Sequence, residues 1–219
     1  MKILVFDTET TGLPERNVSI YDHHKWPHII QLSYIFYDIS NNVSVIKDDY
    51  INIRQEIEIT EASYEKHRIN REILNEKGIN IRVALQDFNR YLGLSDIVIG
   101  HNISFDKRMI FVESIRNRIN QNFTTFDDKG SKICKDEFCT MKNTIEACGL
   151  FYQTRRGEQK KKNPKLSELY EHLFPAVIMP ENLHNSIIDV AVTIRCYMKY
   201  CYNVDICTIN NEIKGLLIA

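Results

Sequence analysis

Immediately after its first residue the chain runs Lys-Ile-Leu-Val-Phe over 2–6 and then places Asp7 and Glu9 two positions apart. The apolar run predicts a buried central strand. On a strand, residues i and i+2 project from the same face, so this sequence sets two carboxylates side by side at the end of a buried element. Two like charges taken out of water repel strongly unless something compensates them. A divalent cation held by carboxylate oxygens is the usual solution; a solvated strand end is the plainer one.

Further along, 29–38 and 43–53 are rich in β-branched and aromatic residues, with Asn41-Asn42 between them as a turn. They predict an antiparallel hairpin added to the first strand. Over 61–92 the period changes to a helical one, with Ile81, Leu85, Phe88 and Leu92 on one face and Gly78 as a break. A short strand is expected at 96–99, a helix near 104–118, a strand near 136–141, and helices near 166–174 and 186–201. Strands first, then alternating helices and strands, is an α/β pattern with a mixed sheet. The stretches 14–28, 120–133 and 153–165 lack periodicity and are expected to be the least ordered.

Two more segments carry potential chemistry. His101-Asn102-Ile103-Ser104-Phe105-Asp106 follows the short strand at 96–99, so Asp106 falls in the first turn of the next helix, where the helix dipole favours a carboxylate. His184-Asn185-Ser186-Ile187-Ile188-Asp189 opens an apolar helix. If Asn185 or Ser186 caps that helix, Asp189 lies in its first turn and His184 in the loop before it, and the two can converge. Either acid alone could be a simple capping residue, and His184 alone a structural one.

In order, Asp-x-Glu, His-Asn-x-x-Phe-Asp and His-x-x-x-x-Asp resemble the motifs of the DEDDh (DnaQ-like) 3′→5′ exonuclease family. The likeness extends to Asp7-Thr-Glu-Thr-Thr-Gly-Leu, to Pro164-Lys-Leu-Ser-Glu-Leu-Tyr and to the helix after Asp189. It covers about residues 3–201. Ser186 and Val190 depart from the small alanines frequent there. The implied fold is a ribonuclease-H-like mixed β-sheet flanked by α-helices. The implied chemistry is phosphodiester hydrolysis with two Mg²⁺ or Mn²⁺ ions held about 4 Å apart by Asp7, Glu9, Asp106 and Asp189, with His184 as general base. The subclass that uses tyrosine would need it four residues before the last Asp, where this chain has Asn185. The resemblance also implies that Thr10, Thr11, Gly12 and Leu13 seat the terminal nucleotide, helped by Asn102 and Phe105. His67 is a further candidate for that pocket, with a structural role as the alternative. Trp26 is expected to cover the core rather than stack on a base.

Composition limits how nucleic acid could be held. With 28 basic against 29 acidic residues the net charge is −1, so contact with a polyanion needs a local basic surface. The segment Arg155–Lys165 supplies six basic residues against Glu158 alone, and Lys160, Lys161 and Lys162 are the candidates for a backbone clamp. Expected partners are single-stranded DNA or 3′ ends of duplex DNA, with a polymerase as a further candidate. A 3′→5′ exoribonuclease is the competing enzyme, and a non-catalytic nucleic-acid or polymerase-binding module the competing class. With 43% hydrophobic residues in 219, one exonuclease domain is expected over 1–204, with 205–219 as its extension or a docking tail. No signal sequence, membrane segment or Cys-x-x-Cys pair is evident, so a soluble cytoplasmic protein with reduced cysteines is expected.

Overall fold

The computed structural model describes residues 1–218. Strand β1 (Lys2–Thr10) pairs antiparallel with β2 (Ile29–Asp38), which pairs antiparallel with β3 (Val43–Tyr50). Helices α1 (Glu61–His67), α2 (Arg71–Lys77) and α3 (Ile81–Leu94) carry the chain back to β4 (Ile97–Gly100), parallel to β1. Then come α4 (Ser104–Asn117), the hairpin β5 (Thr124–Phe126) and β6 (Lys132–Cys134), and β7 (Asp136–Cys139), parallel to β4. Short helices α5 (Thr140–Asn143) and α6 (Ile145–Cys148) lead to a second hairpin, β8 (Phe151–Gln153) and β9 (Gln159–Lys161). The chain continues through α7 (Leu166–Leu173), α8 (Ser186–Tyr202) and α9 (Asn211–Ile218). The main sheet has the order β3-β2-β1-β4-β7, so it is the mixed sheet flanked by helices that the sequence pattern predicts.

Burial on both faces explains why β1 reads as an unbroken apolar run. Leu4 and Phe6 pack with α3 and α4, while Ile3 and Val5 pack under α8. The expected helical stretch 61–92 is three helices. Asn70 caps α2 by accepting from the Ile73 N–H at 2.9 Å, and Asn80 caps α3 by accepting from the Arg82 N–H at 2.9 Å. Gly78, the C-cap of α2, lies between those two helices, and no side chain fits there because a Cβ would lie 2.7 Å from the Asn52 nitrogen.

Two segments expected to be irregular contain small hairpins. Every residue of β6, β8 and β9 is exposed, so these strands carry no apolar alternation for a sequence reading to detect. The segment 14–28 is irregular apart from one 3₁₀ turn, His23–Lys25, but it is firmly anchored. Arg116 donates to the carbonyls of His23, Trp26 and Pro27, and Trp26 is buried with its indole N–H on the Ser19 carbonyl. Trp26 therefore covers the core. At the other end of the chain, Ile206 and Ile213 are buried in the cluster beneath α8, and Arg195 grips Asp205 in a bidentate pair of 2.9 and 2.7 Å. The cysteines are unpaired thiols. Among the described residues no helix is long and apolar enough to cross a membrane.

Candidate active site

Because β1 and β4 run parallel, their C-terminal ends open on one edge of the sheet, where an α/β fold commonly binds its ligand. β1 delivers Asp7 and Glu9 there, on the face covered by α8. The first turn of α8 brings Asp189, and one oxygen from each of these three carboxylates can be chosen so that all lie within 4.8 Å of one another. The first turn of α4 brings Asp106 from beyond the end of β4. Its Oδ1 accepts from both the N–H (3.1 Å) and the hydroxyl (2.8 Å) of Thr8, which stands between the two acids of β1.

Electrostatics show what this convergence costs. Burial, then Asp106, Asp189 and Glu9, hold the Asp7 carboxyl well above the usual range, against a lowering bond from Ser186. Burial pushes Glu9 up to about 8, with Asp189 and Asp106 adding to it and Lys66 opposing. Burial also raises Asp106 to about 7, against the bonds from Thr8, and Asp189 to about 6. An all-oxygen set of mutually repelling carboxylates is the donor chemistry that a hard divalent cation requires. The residues fit such an ion.

His184 occupies the loop before α8 with φ +73, a left-handed conformation that costs about 1 kcal/mol for a residue with a side chain. Its N–H reaches Asp189 Oδ1 at 3.3 Å. Asn185 is the N-cap, and the Ser186 hydroxyl donates to the Asp7 carbonyl at 2.8 Å, tying α8 to β1 at the site. The imidazole is exposed, and its pKa lies below the ordinary value through partial burial and then the charges of Lys66 and Lys165.

The segment after Glu9 is braced on both sides. Thr11 exchanges bonds with His28, its N–H to the carbonyl (2.9 Å) and its hydroxyl accepting from the His28 N–H (3.0 Å). The Thr60 N–H donates to the Thr11 carbonyl at 2.9 Å, and the Thr60 methyl would lie 3.2 Å from a Cβ on Gly12. What Gly12 admits in this structure is the N-cap of α1. Leu13 is 77% exposed beside it, a geometry open to a wedge role. Asn102 is exposed with φ +64, and Phe105 is half-buried against the core.

The remaining candidates lie apart or are already engaged. His67 is buried, with Nδ1 accepting from the Ile69 N–H at 3.0 Å. Its Nε2 is buried without a hydrogen-bond partner among the described residues, and burial lowers the pKa of the imidazole. Lys160, Lys161 and Lys162 sit on or at the foot of the β8–β9 hairpin. Lys161 is paired with Glu146 and Lys162 with Glu168, leaving Lys160 in only a loose 3.7 Å contact with Glu158. His101 is neutral, lowered to about 4 by burial, and clasps Thr140 Oγ1 (3.0 Å) and the Pro164 carbonyl (3.1 Å). That clasp holds the chain below the hairpin against the site. Sequence reasoning overlooked Thr8 and Lys66, although both adjoin residues it singled out, and it counted Lys165 only within the basic run.

Comparison with known proteins gives a consistent picture. The model of the exonuclease family named for RNase T matches residues 4–197. No curated protein matches the chain. Among solved structures, Escherichia coli Exonuclease I in complex with a dA16 oligonucleotide superposes with a TM-score of 0.62 at 15% identity, over 92% of this chain and 41% of that one. The same enzyme with a dT13 oligonucleotide gives 0.61 at 16%, over 90% and 41%. A moderately thermophilic Exonuclease I from Methylocaldum szegediense gives 0.59 at 14%, over 94% and 42%. The likeness is one of fold, the ribonuclease-H-like sheet, and the chain spans about two fifths of the length of these solved chains.

Proposed function

The chain belongs to the RNase T-type exonuclease family, and from that premise we propose that it releases nucleoside monophosphates from 3′ ends, with DNA as the favoured substrate. The observation that carries this reading is the meeting of Asp7, Glu9 and Asp189 at the C-terminal edge of the sheet, with Asp106 near enough to raise the Asp7 pKa and the His184 backbone N–H on Asp189. The four acids would hold two Mg²⁺ or Mn²⁺ ions. Bound there, such ions supply Lewis acidity, activating water for attack and neutralising charge on the departing 3′ oxygen.

The chain's own residues do the rest. His184, whose pKa is lowered by partial burial and nearby lysines, takes the proton of the attacking water at an imidazole nitrogen. Lys66 and Lys165 favour that neutral form and offer positive charge to the phosphate nearby. Thr10, Thr11, Gly12 and Leu13 receive the terminal nucleotide on a backbone fixed by His28 and Thr60, helped by Asn102 and Phe105. The deoxyribo-oligonucleotides bound by the similar solved enzymes support the DNA assignment.

Matched DNA and RNA strands, incubated with Mg²⁺ or with excess chelator, test the reading. Turnover is expected with metal only and faster on DNA. Undiminished turnover in chelator would overturn the metal mechanism, and faster cleavage of RNA would overturn the substrate assignment.

The hairpin adds an expectation about binding. Arg155, Arg156 and Lys160 are exposed at or near its tip, whereas Lys161 and Lys162 are engaged in ion pairs. If those three each neutralise one phosphate of a single strand, replacing them together with Ser should flatten the slope of log K against log salt by about 2, at roughly 0.7 per contact. Turnover of a dinucleotide should be unchanged. Lys162→Ser should instead loosen the N-terminus of α7, because Lys162 pairs with Glu168, which accepts from the Lys165 N–H. Salt titrations of binding check this; parallel lines for parent and triple variant would leave the tip as plain solvated surface.

A further inference from the structure

The row of polar side chains that begins with Asp7 and Glu9 does not stop at β1. In the sheet register Asp7 lies opposite Ser33, and Ser33 opposite Asp48; Glu9 lies opposite Gln31, and Gln31 opposite Tyr50. Paired residues on neighbouring antiparallel strands share a face. The face beneath the start of α8 is therefore polar across three strands, although Gln31 and Ser33 are completely buried. A buried amide in a β-strand needs partners, and those of Gln31 lead straight to the catalytic loop.

Gln31 Nε2 donates to Asp48 Oδ1 at 2.7 Å and to Asn185 Oδ1 at 3.2 Å, while Gln31 Oε1 accepts from the Ser186 N–H at 3.3 Å. Asp48 Oδ1 also accepts from the Ser33 hydroxyl at 2.7 Å. The orientation of the amide is doubly determined, since a carboxylate only accepts and a backbone N–H only donates. Asn185 and Ser186 are the N-cap and first residue of α8, directly after the left-handed His184. Ser186 in turn bonds the Asp7 carbonyl.

We propose that Gln31, oriented by Asp48, is a positioning residue that clamps the Asn185–Ser186 corner and so fixes His184 and Asp189 relative to Asp7 and Glu9. The proposal rests on the exonuclease reading for its catalytic consequence, though not for the clamp itself. Local bonds at the corner, from the His184 N–H to Asp189 Oδ1 (3.3 Å) and from the Asn185 N–H to the Asn182 carbonyl (3.2 Å), are long, and the bonds from Gln31 add a hold from outside the segment. A displacement of about 1 Å at such a corner can cost on the order of 10²-fold in rate. The side-chain hydrogen bonds of Gln31 go to Asp48, Asn185 and Ser186 and not to its cross-strand neighbour Glu9, so it acts through α8.

The charge pattern gives the test its direction. Gln31→Glu keeps the size and the acceptor for Ser186, but it sets a carboxylate against the oxygens of Asp48 and Asn185. Adding Asp48→Asn restores a donor at the same place. The comparison uses the full chain as parent, Gln31→Glu, Asp48→Asn and the double variant. Amide hydrogen exchange is followed at 183–187 and, as a control, at 190–197 in α8, alongside kcat and KM on single-stranded DNA with Mg²⁺.

Gln31→Glu should speed exchange selectively at 183–187 and lower kcat at least about tenfold, with KM changed less than about twofold. The double variant should recover part of both, since the new amide at position 48 can donate to the new carboxylate at position 31 while Asn185 Oδ1 still faces that carboxylate, a partial rescue that a merely space-filling role would not produce. Unchanged exchange, uniform acceleration through α8, or no rescue would each overturn the clamp. An inactive parent showing selective, rescued exchange would support the clamp and overturn the exonuclease reading instead.

Discussion

Asp7→Asn should abolish turnover, by about 10³-fold or more, and yet leave the metal-free protein more stable than the parent at neutral pH. The loss in rate follows because this carboxylate would help hold the ions, which would supply several kcal/mol of transition-state stabilisation, and each 1.36 kcal/mol is tenfold. The gain in stability follows from the cost already visible in the site. Burial and three neighbouring carboxylates raise Asp7, and burial with Asp189 and Asp106 pushes Glu9 to about 8. An acid whose folded pKa is raised holds more protons folded than unfolded, so stability falls as pH rises from the unfolded carboxylate range towards the folded value. Without metal the parent should therefore lose melting temperature between pH 5 and pH 8, and Asp7→Asn should lose less. Mn²⁺ should stabilise the parent at pH 8 and barely affect the variant. Thermal melts at the two pH values, with and without Mn²⁺, measure this. A variant that melts lower than the parent at pH 8 without metal would contradict it.

His184→Ala should lower kcat by about 10²–10⁴-fold, the range for losing a general base, with binding of DNA and metal largely retained. The pH profile should carry the same signature. Partial burial and the charges of Lys66 and Lys165 lower the His184 pKa beneath 6.5. A lowered value keeps the imidazole neutral, and able to accept a proton, through and somewhat below pH 6.5. The acid limb of kcat should accordingly fall off below that pH, and Lys66→Met should shift it upwards. Steady-state rates from pH 5 to 8 for the parent and both variants test the assignment. A near-normal kcat in His184→Ala would return the residue to a structural role.

Much of this arrangement can be read from sequence because it is local. Asp7 and Glu9 share a face by strand period alone, and Asp106 falls in the first turn of α4 by its distance from Gly100. The N-cap at Asn185 separates His184 from α8, as the spacing to Asp189 requires. The long-range partners are another matter. Gln31 sits in an apolar strand, and nothing around it signals that a corner 155 positions later supplies a donor to it. Lys66 lies within a charged helix face and gains meaning only when α1 is pinned to Thr11. The two hairpins escape because exposed strands of three residues have no inner face to pattern. The basic run was legible as charge, but the ion pairs that occupy Lys161 and Lys162 come from Glu146 and Glu168 on other elements.

The central claim is that these acids and His184 remove nucleotides from a 3′ end. Its most direct test follows a 5′-labelled linear single strand, and a covalently closed circle of the same sequence, over time with Mg²⁺. The linear strand should shorten progressively from its 3′ end, retaining its label and releasing mononucleotides, while the circle stays intact. Early loss of the 5′ label as mononucleotide, or cleavage of the circle at a comparable rate, would contradict the account.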